Sequence, residues 1–158
     1  MSVDPIPKGY HTVTPYLIVN DASHAIEFYK KAFGATELYR MSAPGGGIAH
    51  AEIKVGDSPI MLADEVPAMN YHGPKFFKGS PVSILLYVEN VDAMAGQAIA
   101  AGAKVVRPVQ DQFYGDRSGV FEDPFGHIWS IATHKEDVAP EEIEKRFKAT
   151  MRKSAAAG

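Results

Sequence analysis

His50 and Glu52 stand two apart in Ile48–Val55, a stretch that alternates apolar and polar residues. In a strand that spacing puts both side chains on one face. An imidazole beside a carboxylate can serve general acid–base chemistry or contribute to a metal site. The plain alternative is a surface strand carrying two polar side chains. Asp116 and Arg117, within YGDRSG, pose a similar choice between an anion site and a local salt bridge. The salt bridge is favoured, because exposed Asp–Arg neighbours are common and weak. His127 and His134 flank the last apolar run, in packing or capping roles, and His11, His24 and His72 fall in loop or helix-start positions open to solvent. Gly45-Gly46-Gly47 leads into a strand, so it offers no helix N-terminus to a phosphate. No Ser–His–Asp order with nucleophile-elbow context is present. Cysteine is absent, which excludes disulfides, thiolate metal sites and a cysteine nucleophile.

The elements that must position these groups follow from composition and periodicity. The chain has 158 residues, 46% hydrophobic and 22% charged, the mix of a soluble globular protein of one domain or two small modules sharing a core. A net charge of -3 speaks against sequence-independent nucleic-acid binding. No run approaches the roughly 18 apolar residues of a membrane span. The opening Met-Ser-Val-Asp-Pro-Ile-Pro has no secretory-signal character, so a cytoplasmic location is expected. β-Branched and aromatic density predicts a strand over 11–19, with Pro15 marking an edge or bulge. Asp21 or Ser23 caps a helix with Ala25, Ile26, Phe28, Tyr29, Ala32 and Phe33 at helical spacing, and Gly34 stops it. Strands follow over 35–41, 48–55 and 60–62, the last two joined through Gly56-Asp57. A long loop then runs to about Ser80, and its Met69, Tyr71, Phe76 and Phe77 are expected to pack on a core edge or a ligand.

The pattern then restarts. A strand over 81–89 precedes a helix capped by Asn90 or Asp92, striped by Met94, Ala95, Ala98, Ile99 and Ala101 and ended by Gly102. Strands over 104–109, 114–121 and 127–133 complete the second β-α-β-β-β order. Ala32-Phe33-Gly34-Ala35-Thr36 answers Ala100-Ala101-Gly102-Ala103-Lys104, and Leu17-Ile18-Val19-Asn20 answers Leu86-Tyr87-Val88-Glu89. The expected fold is α+β and a single domain: two βαβββ modules (11–63 and 81–135, joined by a linker at 64–80) forming a curved mixed-sheet cup with the helices on its outer face. A C-terminal helix over 139–153 follows, its acidic start and basic end matching the helix dipole, with Ile143, Phe147 and Met151 striped to pack on the domain or across a dimer.

With the repeat in view, YLIVNDASHAIEFYKKAFGA resembles the opening strand and helix of the vicinal oxygen chelate superfamily, and GVFEDPFGHIWSIATH resembles its closing hairpin. That group spans glyoxalase I, fosfomycin-resistance enzymes, extradiol dioxygenases and bleomycin-resistance proteins. The chain is most similar to its PhnB-like and bleomycin-resistance-like members. The resemblance places the superfamily's metal-ligand positions at Thr14, Met61, Ser83 and Ser130, none of them a good ligand for a divalent ion. No metal and no cofactor are therefore expected. The same alignment puts Thr14, Tyr16, Ile18, Met61, Ser83, Leu85, Tyr87, Ser118, Ser130 and Ala132 on the concave side, with His50, Glu52 and Asp116 added. The opposite parity (Leu17, Val19, Ile53, Ile60, Leu62, Ile84, Leu86, Trp129 and Ile131) faces the helices.

The resemblance thus implies a metal-free protein that binds an aromatic or amphipathic small molecule through Tyr16, His50, Glu52, Met61, Leu85, Tyr87, Asp116, Ser118 and Ser130. Catalytic residues remain unassigned. The alternative is a divalent-metal lyase or isomerase of the glyoxalase type, with a shifted site around His50 and Glu52. A third reading is a dimer whose cup is vestigial. The expected partners are a small-molecule ligand and a second copy of the chain, in a homodimer that can exchange modules through the linker. No nucleic acid or membrane is expected.

Overall fold

Helical stripes and strand alternation each settle into the element they dictate. The computed structural model describes residues 3–156. In the first module β1 (Tyr16–Val19) leads into α1 (Ala22–Phe33), followed by β2 (Thr36–Ser42), β3 (Ile48–Val55) and β4 (Ser58–Asp64). A 3-10 turn (Pro67–Met69) and the single-turn α2 (Pro74–Phe77) bridge to the second module. There β5 (Ser83–Tyr87), α3 (Val91–Ala101), β6 (Lys104–Asp111), β7 (Asp116–Glu122) and β8 (Ile128–His134) repeat the order, and α4 (Pro140–Ala156) closes it. Each module builds its own open four-stranded mixed sheet, ordered β1-β4-β3-β2 and β5-β8-β7-β6. In both, the first strand lies parallel to the last and the other pairs are antiparallel. Among the described residues no helix is long and apolar enough to cross a membrane.

The first strand is shorter than the 11–19 the sequence suggests. Pro15 has no N–H for a ladder, although its carbonyl still accepts from Met61 N–H at 2.9 Å. Thr14 turns its hydroxyl back to the His11 carbonyl at 3.4 Å, so regular pairing starts only at Tyr16. Of the competing caps, Asp21 and Asn90 take the role, accepting from His24 and Ala93 N–H at 3.0 Å each.

The parity predicted to face the helices does so: Leu17, Val19, Ile53, Ile60, Leu62, Trp129 and Ile131 are buried, and Ile84 and Leu86 pack on the same core. One core serves both modules, because α1 crosses to the second. Phe33 and Tyr29 pack tilted against Trp129 at 4.7 and 5.3 Å between ring centroids, and Phe28 meets Phe125 edge-on at 6.2 Å. Beneath these rings lies Asp123, 3% exposed. Its carboxylate accepts from Tyr29 OH at 2.7 Å, Trp129 Nε1–H at 2.9 Å, and the Phe125 and His127 amides at 2.9 and 3.0 Å. A buried carboxylate is tolerable when its lone pairs are filled in this way. His127 reaches back to the first module, its Nε2–H donating to the Ile18 carbonyl at 2.9 Å.

The segment between the modules is ordered by its own contacts. Val66 and Tyr71 form an isolated bridge, Gly73 N–H donates to Glu65 Oε1 at 2.7 Å, and His72 stacks on Phe76 at 3.8 Å. Met69, Tyr71, Phe76 and Phe77 remain exposed instead of packing on a core edge.

Candidate functional site

Strand pairing superposes the two modules residue by residue. In the first sheet Tyr16 pairs with Met61, Met61 with Glu52, and Glu52 with Tyr39. In the second Leu85 pairs with Ser130, Ser130 with Val120, and Val120 with Arg107. The concave positions are therefore equivalent in backbone and different in chemistry: Tyr16 stands where Leu85 stands, Glu52 where Val120 stands, and Tyr39 where Arg107 stands.

On the first sheet the structure brings Tyr16, His50, Glu52 and Met61 together. His50 donates or accepts at both ring nitrogens, Nδ1 lying 2.8 Å from Tyr16 OH and Nε2 3.1 Å from Glu52 Oε1. Tyr10, which the sequence did not single out, donates its hydroxyl to Glu52 Oε2. Ionised Glu52 can only accept, so the bond at Nε2 is donated by His50. The hydrogen bonds from Tyr10 and then His50 hold the Glu52 carboxyl below the usual range. The same bond to Glu52, with burial, pushes the Tyr10 phenol up to about 12. Burial first, then the negative charges nearby, raises Tyr16.

On the second sheet Leu85, Tyr87, Asp116, Ser118 and Ser130 line a cleft of about 410 Å³. Its floor is Leu85, Val120 and Ala132; its rim adds Arg107, Gln110, Gln112, Phe113 and Tyr114, none of which sequence reasoning identified. Asp116 is 6% exposed and accepts from Tyr87 OH at 2.9 Å and from His134 Nδ1 at 2.7 Å. His134 also reaches Asp137 at 3.0 Å through Nε2. Flanked first by Asp116 and then by Asp137, the imidazole is held above its ordinary value. The hydrogen bond to Asp116 raises the Tyr87 phenol.

The expected Asp116–Arg117 salt bridge does not form. Neighbours along a strand point to opposite faces, so Asp116 turns to the cleft while Arg117 pairs with Asp92 at 2.8 Å through two nitrogens and with Asp111 at 3.2 Å. The nine expected contact residues thus fall into two groups, one on each sheet.

The four inherited ligand positions do not fit a divalent ion. Ser83 and Ser130 hydrogen-bond each other at 2.9 Å, Met61 offers a thioether beneath Tyr16, and Thr14 bonds to backbone. Among the described residues no three His, Cys, Asp or Glu side chains converge as a metal site.

A family model described as the Glyoxalase/Bleomycin resistance protein/Dioxygenase superfamily matches residues 10–131. An uncharacterized Mycobacterium tuberculosis protein is 44% identical over 135 residues, 84% of this chain and 79% of that protein. The crystal structure of TioX from Micromonospora sp. ML1 is similar with a TM-score of 0.63 at 27% identity, covering 78% of this chain and 98% of that one. The fosfomycin resistance protein FosX from Mesorhizobium loti shares the fold, with a TM-score of 0.59 at 19% identity over 79% of this chain and 92% of its own.

Proposed function

Because the chain belongs to the Glyoxalase/Bleomycin resistance protein/Dioxygenase superfamily, we propose that it is a metal-free, homodimeric binding protein that holds an aromatic or amphipathic small molecule on its concave sheet faces. The observation that carries this reading is the apolar and aromatic surface left open on the concave side of the sheets. Tyr16 is 49% exposed, Leu85 49% and Tyr87 62%, all on the concave side, while the opposite parity is buried. Sheet positions that leave such side chains open, beside a few placed polar groups, suit a small-molecule site. The metal chemistry found elsewhere in the superfamily lacks its ligands here, and His50 and Glu52 are already engaged with each other, Tyr16 and Tyr10. Two open half-cups in one chain also favour pairing of chains, so that each face gains an opposite wall.

A thermal-shift panel of planar aromatics and amphiphiles, run beside manganese, nickel, zinc and ferrous salts, tests the reading. A true ligand at a hundredfold excess over its Kd adds about 2.7 kcal/mol, a Tm rise of roughly 5–10 °C for a chain of this size. Stabilisation by divalent salts alone, with bound metal retained after dialysis, would instead establish the metal-dependent lyase or isomerase alternative around His50 and Glu52.

A further inference from the structure

Resting on the binding reading above, we infer that the second-module cleft takes an organic anion: a molecule whose apolar ring lies on Leu85 and Val120 and whose carboxylate or sulfonate meets Arg107. Of the five arginines, Arg40 pairs with Glu37, Arg117 with Asp92 and Asp111, and Arg146 with Glu136 and Glu142, while Arg152 lies apart from both sheets on α4. Arg107 lines the cleft and has no carboxylate partner among the described residues.

Local backbone explains how it comes to be there. The pairing of β6 with β7 slips on both sides of Arg107, between Val105 and Arg107 and again between Arg107 and Gln110. Bulges of this kind re-aim a side chain that regular alternation would place elsewhere. Pro108 falls inside the second slip, where it has no N–H to give to the ladder.

The charge inventory of the cleft favours an anion. Its only other charged lining residue is Asp116. Both Asp116 oxygens are taken, Oδ2 by the Tyr87 hydroxyl and Oδ1 by the His134 imidazole, so this carboxylate is already engaged within the protein. Arg107 is left as the uncompensated charge over an apolar floor. A planar guanidinium there offers paired N–H donors of the geometry a carboxylate or sulfonate accepts. At the equivalent position of the first sheet stands Tyr39, over the engaged carboxylate of Glu52, so the anion preference belongs to one module alone.

Two fluorescent probes with similar rings separate the parts of this inference: anionic 8-anilinonaphthalene-1-sulfonate and neutral N-phenyl-1-naphthylamine. The wild-type protein is expected to bind both. Arg107→Gln should weaken the sulfonate about tenfold, Arg107→Lys should restore part of that loss, and the neutral probe should be unaffected by either. Leu85→Asn should weaken both probes, placing them in this cleft. If Arg107→Gln fails to fold, the wild type still decides: raising NaCl from about 20 to about 500 mM should weaken the sulfonate and spare the neutral probe. Sulfonate binding indifferent to Arg107 and salt, or to Leu85, overturns the inference while leaving the binding reading intact. Binding of neither probe overturns both.

Discussion

His134 is a side chain that the fold places between two carboxylates. It sits between Asp116 and Asp137, at 2.7 and 3.0 Å, and its pKa is raised above the ordinary 6.5 by those contacts, Asp116 first. A group whose folded-state pKa is raised binds its proton more tightly when folded. The stability it contributes is fully present below the unfolded value and is lost as pH rises through the folded one. The Tm difference between wild type and His134→Gln should therefore be largest below about pH 6.5 and shrink toward alkaline pH. A difference independent of pH would mean that packing, not charge, is what the substitution removes. The side chain is half-exposed, so the effect is modest and salt-screened. The same pair shows what a residue type discloses by itself. His134 was legible as an end-of-strand histidine, but its partner lies 18 positions away and across a strand pair, which spacing does not reveal.

Among elements, the two helices share one device beyond their Asx caps. Asp64 at the end of β4 accepts from Ala22 N–H at 2.6 Å, and Thr133 near the end of β8 accepts from Val91 N–H at 2.8 Å, each across 42 residues. The last strand of each module thereby ties down the first turn of its helix, satisfying donors that helix geometry leaves open. Asp64 also accepts from Ile48 N–H at 2.6 Å. Asp64→Ala frees both amides and should cost about 2 kcal/mol, read as a lower urea midpoint at unchanged slope. The helices and the interior of each sheet were legible from periodicity: the Ala25-to-Phe33 stripe and the alternation of β3 fall where the sequence places them. Strand edges were not. Pro15 delays β1 by removing a ladder donor, and the two slips around Arg107 break the parity by which the other cleft residues were found. Alternation locates Tyr16, His50, Glu52, Leu85 and Ser130; it cannot announce a bulge.

At the scale of the whole molecule, the repeat made the two modules visible but not their relation. That is fixed by α1, whose aromatic face enters the core of the second module. The concave faces, by contrast, stay open, with Tyr16, Leu85 and Tyr87 exposed. Light scattering coupled to size exclusion should accordingly give the mass of two chains, and a monomer across all concentrations would refute the homodimer. Exchange of modules between copies remains a matter of the 64–80 segment, whose length permits it. The bond from Tyr29 to buried Asp123 bears on heat as well as shape. It joins the first helix to the second module's closing turn, so neither half can melt without stripping a carboxylate of its partner inside the core. Calorimetry of the intact chain should then register one cooperative transition, with no shoulder for a half-molecule, the two copies melting as a single thermodynamic unit.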